Sequence, residues 1–333
     1  MILVTGATGL VGSHLLCYLT LKNNKVRAIY RTEKKREYVK TIFSYYTSDV
    51  QKQYAKIEWV KADITDISSL YPVFKDVCEV YHCAALISFS SSNYEKMRLI
   101  NIEGTANIVN FSIDAKVKKL CFVSSIATLG DNVKKEPITE ENEWNEENND
   151  YAITKYGAEM EVWRASQEGV DVVVVNPGVI LGGGFWNTGS GQIFTQIYNG
   201  FNFYTKGVTG FVGVYDVVKA MVLLMESSVK NERFILVSEN KSFKEVMFAI
   251  ADGLDKKRPH IKIGKIVTAL FWRLSWVISK VTGKEPLLTK NSSESSHSKS
   301  YYSSEKIKKE ASFTFESIKD VIAKTCAQFL LDK

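Results

Sequence analysis

The chain has 333 residues, 45% hydrophobic and 24% charged, and its 43 basic against 37 acidic side chains leave a formal charge of +6. That balance supplies a sizeable core and excludes collagen, coiled coil and extended disorder. A mild positive excess without a basic arm favours anionic small molecules and argues against a nucleic-acid partner. Five scattered cysteines (Cys17, Cys78, Cys83, Cys121, Cys326) fit reduced thiols in a cytoplasmic protein, and four histidines without ligand spacing predict no metal site. No apolar run reaches the roughly 20 residues that cross a bilayer.

In chain order, β-branched runs alternate with amphipathic stretches, the pattern of an α/β doubly wound parallel sheet with helices on both faces. The first strand is expected at Ile2–Thr5 and the first helix at Gly12–Lys22. Between them Gly6, Thr8, Gly9, Leu10, Val11 and Gly12 form a glycine-rich turn. There Gly6 permits a tight bend, Gly9 admits a pyrophosphate and Gly12 lets helix and strand pack closely, with the helix N-terminus facing the phosphates.

The second strand, Lys25–Tyr30, ends in Arg31 with Lys34, Lys35 and Arg36 behind it, where a dinucleotide fold that selects NAD carries an acid. A guanidinium bonds a 2′-phosphate, so NADP(H) is favoured as cofactor with NAD(H) as the alternative, and a merely solvated strand-end arginine is the competing account. A helix at Lys34–Tyr46 and a third strand at Ile57–Lys61 follow. Asp63 and Ile64 then stand where a carboxylate accepts from adenine and an aliphatic side chain packs on the ring. The fourth strand, Glu79–His82, runs into Cys83, Ala84 and Ala85, small enough for a ribose to approach, and His82 reads as a packed strand residue.

A helix at Asn101–Asp114 precedes the fifth strand, Leu120–Ser124, whose end presents Ser124 and Ser125 at the edge where open α/β sheets bind ligands. Asp131–Asp150 is rich in acid and reads as a solvated loop, with a flap over the site as the alternative. Tyr151 and Lys155 follow on a helix expected to continue through Thr154–Glu168, and their four-residue spacing puts them on one face. A phenol of pKa about 10 is a poor acid or base at neutral pH until a neighbouring cation stabilises its anion. A sixth strand, Val170–Asn176, closes the run.

Beyond about Leu181 the aromatics Phe185, Trp186, Phe194, Phe201, Phe203 and Tyr204 suggest a smaller, discontinuous C-terminal lobe, as substrate wall or as ordinary core. Phe211–Glu226 reads as a strand or turn leading to a helix on the main sheet. The expected division is a dinucleotide-binding domain at 1–180, to which 209–238 return, and a substrate lobe at 181–208 and 239–333. Ile261–Val281, apolar with flanking lysines, reads as a core or lid helix or as one lying on a lipid interface, a peripheral membrane contact.

Together TGATGLVG, Arg31, Asp63-Ile64, HCAA, VSSIATLG, YAITK and NPGVILG resemble the extended short-chain dehydrogenase/reductase family, which has a Rossmann fold and includes epimerases, dihydroflavonol reductases and 3-beta-hydroxysteroid dehydrogenases. The resemblance implies Tyr151 as general acid or base, Lys155 as its partner and ribose ligand, and Ser125 as donor to the substrate oxygen. It also implies Asn101 in a water relay to Lys155, Pro177, Gly178 and Val179 along the nicotinamide, and a homodimer through Ile102–Ile113 and Thr154–Gln167. Ile126 and Ala127 replace the acidic pair of sugar-nucleotide dehydratases, and Tyr215 replaces the phosphate-holding arginine of epimerases. The expected activity is hydride transfer between NADP(H) and an apolar ketone or secondary alcohol, a small-molecule substrate, with epimerisation of a sugar derivative as the alternative.

Overall fold

Val, Ile and Leu fill the strands of the main sheet because those strands are covered on both faces, where only apolar side chains avoid a desolvation cost. The computed structural model describes residues 1–130, 136–144, 149–282 and 289–333, the last part of the third stretch, 276–282, without side chains. The strands are β1 (Ile2–Thr5), β2 (Val26–Tyr30), β3 (Ile57–Lys61), β4 (Glu79–His82), β5 (Lys119–Val123), β6 (Asp171–Pro177), β7 (Val179–Leu181), β8 (Phe203–Tyr204), β9 (Val208–Gly213), β10 (Glu232–Leu236), β11 (Glu239–Ser242) and β12 (Ile261–Lys262). Every one of the first six lies within a residue of its sequence expectation at each end.

Seven of them form one parallel sheet in the order β10-β6-β5-β4-β1-β2-β3. The order reverses at β1, whose Val4 pairs with Ala28 on one side and Tyr81 on the other. Such a reversal opens a crevice at the C-terminal strand ends. Helices Leu10–Leu21 and Val214–Glu226 cover one face, joining Leu15, Leu16, Leu19, Val217 and Met221 in one core. On the other face, Gly104–Asp114 and Asp150–Gln167 bury Ile108, Val109, Ala158 and Val162. Each such Leu, Ile, Val or Met side chain contributes about 1.5–3 kcal/mol when fully buried.

A single residue, Gly178, carries the chain from β6 into β7, which belongs to a second sheet of order β11-β9-β7. Its amide donates to the Leu236 carbonyl at 3.0 Å, and a Cβ there would lie 2.4 Å from the Gly210 oxygen. A third core sits beside this sheet, with Leu181, Trp186, Phe194, Phe211, Ile250, Ile322 and Phe329. Trp186 and Phe194 are therefore core and not substrate wall, the ring of Trp186 standing edge-on to Phe329 at 4.9 Å.

Two expectations change. In the acidic stretch, 131–135 and 145–148 lie outside the described residues, so the flap account falls in part outside them. Glu140, however, is buried and not solvated, because its Oε1 accepts from the Ile235 amide at 2.8 Å along the open edge of β10. An edge amide covered by a loop needs such an acceptor.

The Ile261–Val281 segment forms a helix, Lys265–Thr282, yet it is no core helix. Ile266, Val267, Leu270, Phe271 and Leu274 are all exposed, because the buried residue toward the protein is Thr268, held by a hydrogen bond to His297 at 2.9 Å. Among the described residues no helix is long and apolar enough to cross a membrane.

Candidate active site

The glycine turn sits at the end of β1, in the crevice. Gly6 has φ 62°, a left-handed conformation that favours glycine, and a Cβ there would lie 2.5 Å from the Ala84 nitrogen. At Gly12 a Cβ would lie 2.3 Å from the Gly6 carbonyl oxygen, so two backbones touch where the helix leaves the strand. Gly9 differs. A Cβ there meets only the Gly6 oxygen, at 3.3 Å, which leaves its outer side clear.

Gly9 also caps the Leu10–Leu21 helix without any side-chain hydrogen bond. The first-turn amides at Leu10 and Val11 belong to the set that a helix cannot satisfy internally. Thr8, Leu10 and Val11 are half-buried around them. An open glycine beside uncapped amides fits the diphosphate of a dinucleotide, which supplies the acceptors and the negative charge.

Toward the adenosine end, Arg31 is well exposed at 57% and its Nη1 lies 3.5 Å from Asp63 Oδ2, a loose pairing that leaves most of its donors unused. Arg36 is more engaged: it bridges Glu33 at 2.9 Å and Glu37 at 3.1 Å and lies over the Tyr30 ring. Asp63 Oδ1 accepts from the Thr65 amide and hydroxyl at 3.0 and 2.9 Å, and these bonds with Arg31 hold its carboxyl below the usual range despite burial. Ile64 is buried in the second core against Gly104, where a Cβ would meet its Cδ1 at 2.6 Å.

At the centre, Asn149 accepts from the Ala152 amide at 3.1 Å and starts the helix that carries both Tyr151 and Lys155. Burial pushes the Tyr151 phenol up to about 12, and the neighbouring Ser125 side chain acts in the opposite direction. Ser125 is itself fixed as the cap of the short turn Ile126–Thr128, its Oγ accepting from the Ala127 amide at 3.1 Å. Lys155 is buried. Its ammonium donates to the Val123 carbonyl at 2.8 Å and lies 4.1 Å from the Phe122 ring centroid. Desolvation lowers its pKa to about 7, opposed by Glu159 and Cys83.

Asn101 lies in a π-helical turn, Arg98–Glu103, a geometry that recurs at functional sites. Its Nδ2 donates to the Leu86 carbonyl at 3.0 Å and to Thr154 Oγ1 at 3.1 Å, and its Oδ1 accepts from the Leu86 amide at 2.7 Å. Asn101 thus ties the segment after β4, where Ala84 is half-buried and Ala85 exposed, to the residue before Lys155. His82 is a packed strand residue: its ring nitrogens meet Thr5 at 2.6 Å and Thr105 at 2.9 Å, and burial lowers its pKa to about 3. Pro177 is buried at the end of β6, with Gly178 and Val179 half-buried beyond it.

Sequence reasoning missed Glu159. Fully buried below Ser125, its Oε2 accepts from Ser124 at 2.6 Å, Thr128 at 3.0 Å and Asn176 at 3.3 Å, and its Oε1 lies 3.5 Å from Arg233. One carboxylate thereby ties the helix of Tyr151 to the ends of β5 and β6 and to β10. Its place four residues after Lys155, on the same helical face, was the available signal.

The sequence profile of the family described as NAD dependent epimerase/dehydratase matches residues 2–236. The chain is 27% identical over 269 residues to a sterol demethylase protein B of Methylococcus capsulatus, covering 78% of this chain and 76% of that one. It is 25% identical over 335 residues to a putative dihydroflavonol 4-reductase of Synechocystis, covering 96% and 92%. Among solved structures, UDP-glucose 4-epimerase of Thermotoga maritima with UDP-glucose superposes with a TM-score of 0.78 at 21% identity, covering 99% of each chain.

Proposed function

The chain belongs to the NAD-dependent epimerase/dehydratase family and is an NAD(P)-dependent enzyme of the extended short-chain dehydrogenase/reductase type, and from that premise we propose that it interconverts an apolar ketone and its secondary alcohol. The Ser125 side chain set beside the Tyr151 phenol at the end of β5, with Lys155 on the same helix face, carries this reading. The nicotinamide, when bound, supplies or takes the hydride.

Tyr151 gives its phenolic proton to the carbonyl oxygen during reduction and recovers it in the reverse direction. Ser125 donates to the same oxygen as negative charge develops there. The buried Lys155 charge favours the phenolate and holds a ribose hydroxyl of the cofactor. Gly9 with the Leu10 and Val11 amides receives the diphosphate, and Arg31 with Lys34 and Lys35 receives a 2′-phosphate, which makes NADP(H) the preferred cofactor. In this reading residues 1–180 and 209–238 hold the dinucleotide, while 181–208 and 239–333 hold the substrate.

Two observations support an apolar substrate. Tyr215, where epimerases carry a phosphate-binding arginine, is stacked on Tyr46 at 5.9 Å and stands edge-on to Tyr18 at 5.8 Å, so an aromatic ring, with the Lys219 ammonium 5.4 Å from its centroid, takes the place of that guanidinium. The relatives named for sterol and dihydroflavonol chemistry point the same way. Epimerisation of a sugar derivative, the second reading, draws on the family's own description and would leave oxidised NAD tightly retained in the purified protein.

Tyr151→Phe is expected to lower kcat by about 10²–10⁴-fold with NADPH affinity intact, read from NADPH absorbance over a panel of ketones. Undiminished turnover refutes the acid–base role. Arg31→Ala is expected to weaken NADPH much more than NADH in a fluorescence titration, and equal losses remove the 2′-phosphate assignment.

A further inference from the structure

We propose that the helix Lys265–Thr282, with the basic segment before it, docks the protein onto an anionic lipid surface. Ordinary surface helices turn apolar residues inward and polar ones to water. Through Ser275, the last of its described side chains, this helix is inverted. Its exposed side chains include Ile266 at 78%, Leu270 at 63%, Leu274 at 58%, Phe271 at 54% and Val267 at 45%. At about 100° per residue these five fall within an arc of about 140°. Thr268 lies on the opposite side, bonded to the Lys265 carbonyl at 3.0 Å and to His297.

Charge selects the occupant. From Lys256 to Lys284 the chain holds Lys256, Lys257, Arg258, Lys262, Lys265, Arg273, Lys280 and Lys284 and no acidic residue. Lys262, Lys265 and Arg273 are exposed, and by the same spacing Arg273 flanks the apolar arc. Arg258 alone of the basic residues before the helix is matched within the protein by a carboxylate among the ion pairs described, Asp252 at 2.7 Å. A second copy of the chain, packed symmetrically on this face, would set Lys262, Lys265 and Arg273 near their own equivalents with no acid in the segment to pair them. An anionic bilayer supplies the opposite charge to the basic fringe and an acyl boundary to the Ile, Leu and Phe side chains, so that the helix lies flat in the interface.

The test is co-sedimentation with vesicles of phosphatidylcholine alone and of phosphatidylcholine mixed with phosphatidylglycerol. The protein is expected to pellet with the mixed vesicles, less in high salt, and to remain in solution with the neutral ones. Leu270→Glu combined with Phe271→Glu is expected to abolish pelleting, and Lys262→Gln combined with Lys265→Gln to weaken it on the order of tenfold or more. Equal pelleting with neutral vesicles overturns the proposal, as does binding untouched by the glutamate pair. So does a lipid-free dimer, seen by sedimentation velocity, that the glutamate pair splits. Both pairs lie away from the glycine turn and Tyr151, so NADPH binding by each variant separates loss of docking from loss of fold, and the outcome is independent of the reaction proposed above.

Discussion

Lys155 carries a cost in the folded chain that the role proposed for it explains. Its ammonium is taken out of water and meets one carbonyl and an aromatic ring, and its pKa falls from 10.5 to about 7. Between those two values the unfolded chain keeps a proton that the folded chain releases, so this group makes folding more favourable as pH rises through the window and least favourable below about 7. Lys155→Met is therefore expected to be inactive yet to melt higher than the parent at pH 7, with the gap narrowing toward pH 10. Comparing two chains that differ at one position cancels the buried thiols and phenols, which titrate in both. A gap that stays constant with pH, followed by calorimetry, contradicts the buried-charge account. The shared helix of Tyr151 and Lys155 was legible from their spacing, but not that burial raises the phenol's pKa and that the Lys155 ammonium turns to the Val123 carbonyl. Glu159 was not, because an acid on a helix reads as solvated until the partners from Ser124 to Arg233 are folded around it.

The glycine turn shows how one short element holds two kinds of glycine. Gly12 is required by contact, since a Cβ there would collide with a backbone oxygen that cannot move without breaking the strand exit. Gly12→Ala is expected to lower stability by roughly 1–3 kcal/mol or more in urea unfolding. Gly9→Ala is expected to cost much less stability than Gly12→Ala and to weaken NADPH, because the added methyl meets the Gly6 oxygen only at 3.3 Å and otherwise fills the open side beside the Leu10 and Val11 amides. If both variants fail equally in stability, Gly9 is a structural glycine and the cradle is misassigned. Long β-branched runs and their flanking helices were readable from periodicity. The two-residue strands β8 and β12 and the three-residue β7 were not, because so few residues carry no period. The exposed face of Lys265–Thr282 also escaped reading, since an apolar stripe tells which residues share a face and not which way the face looks.

At the scale of the molecule, six of the seven strands of the main sheet were legible, whereas β10 at its edge and the second sheet, which depends on pairings between distant segments such as Val179 with Phe211, were not. The two parts are also clasped at the far end of the chain. Asp332 accepts from Trp186 Nε1 at 2.7 Å and from the Tyr45 hydroxyl, and the Tyr38 hydroxyl donates to the Gly184 carbonyl. Small-angle scattering is expected to give the same radius of gyration with and without saturating NADPH, and a clear contraction would show that the parts swing. The reason lies in the passage from β6 to β7 through Gly178, where backbone presses on backbone and there is no slack in the chain. A crevice riveted at its seam keeps a constant width. Selectivity must then be written in the bulk and polarity of the side chains along its walls, and exchanging those walls would retarget the enzyme without retuning its chemistry.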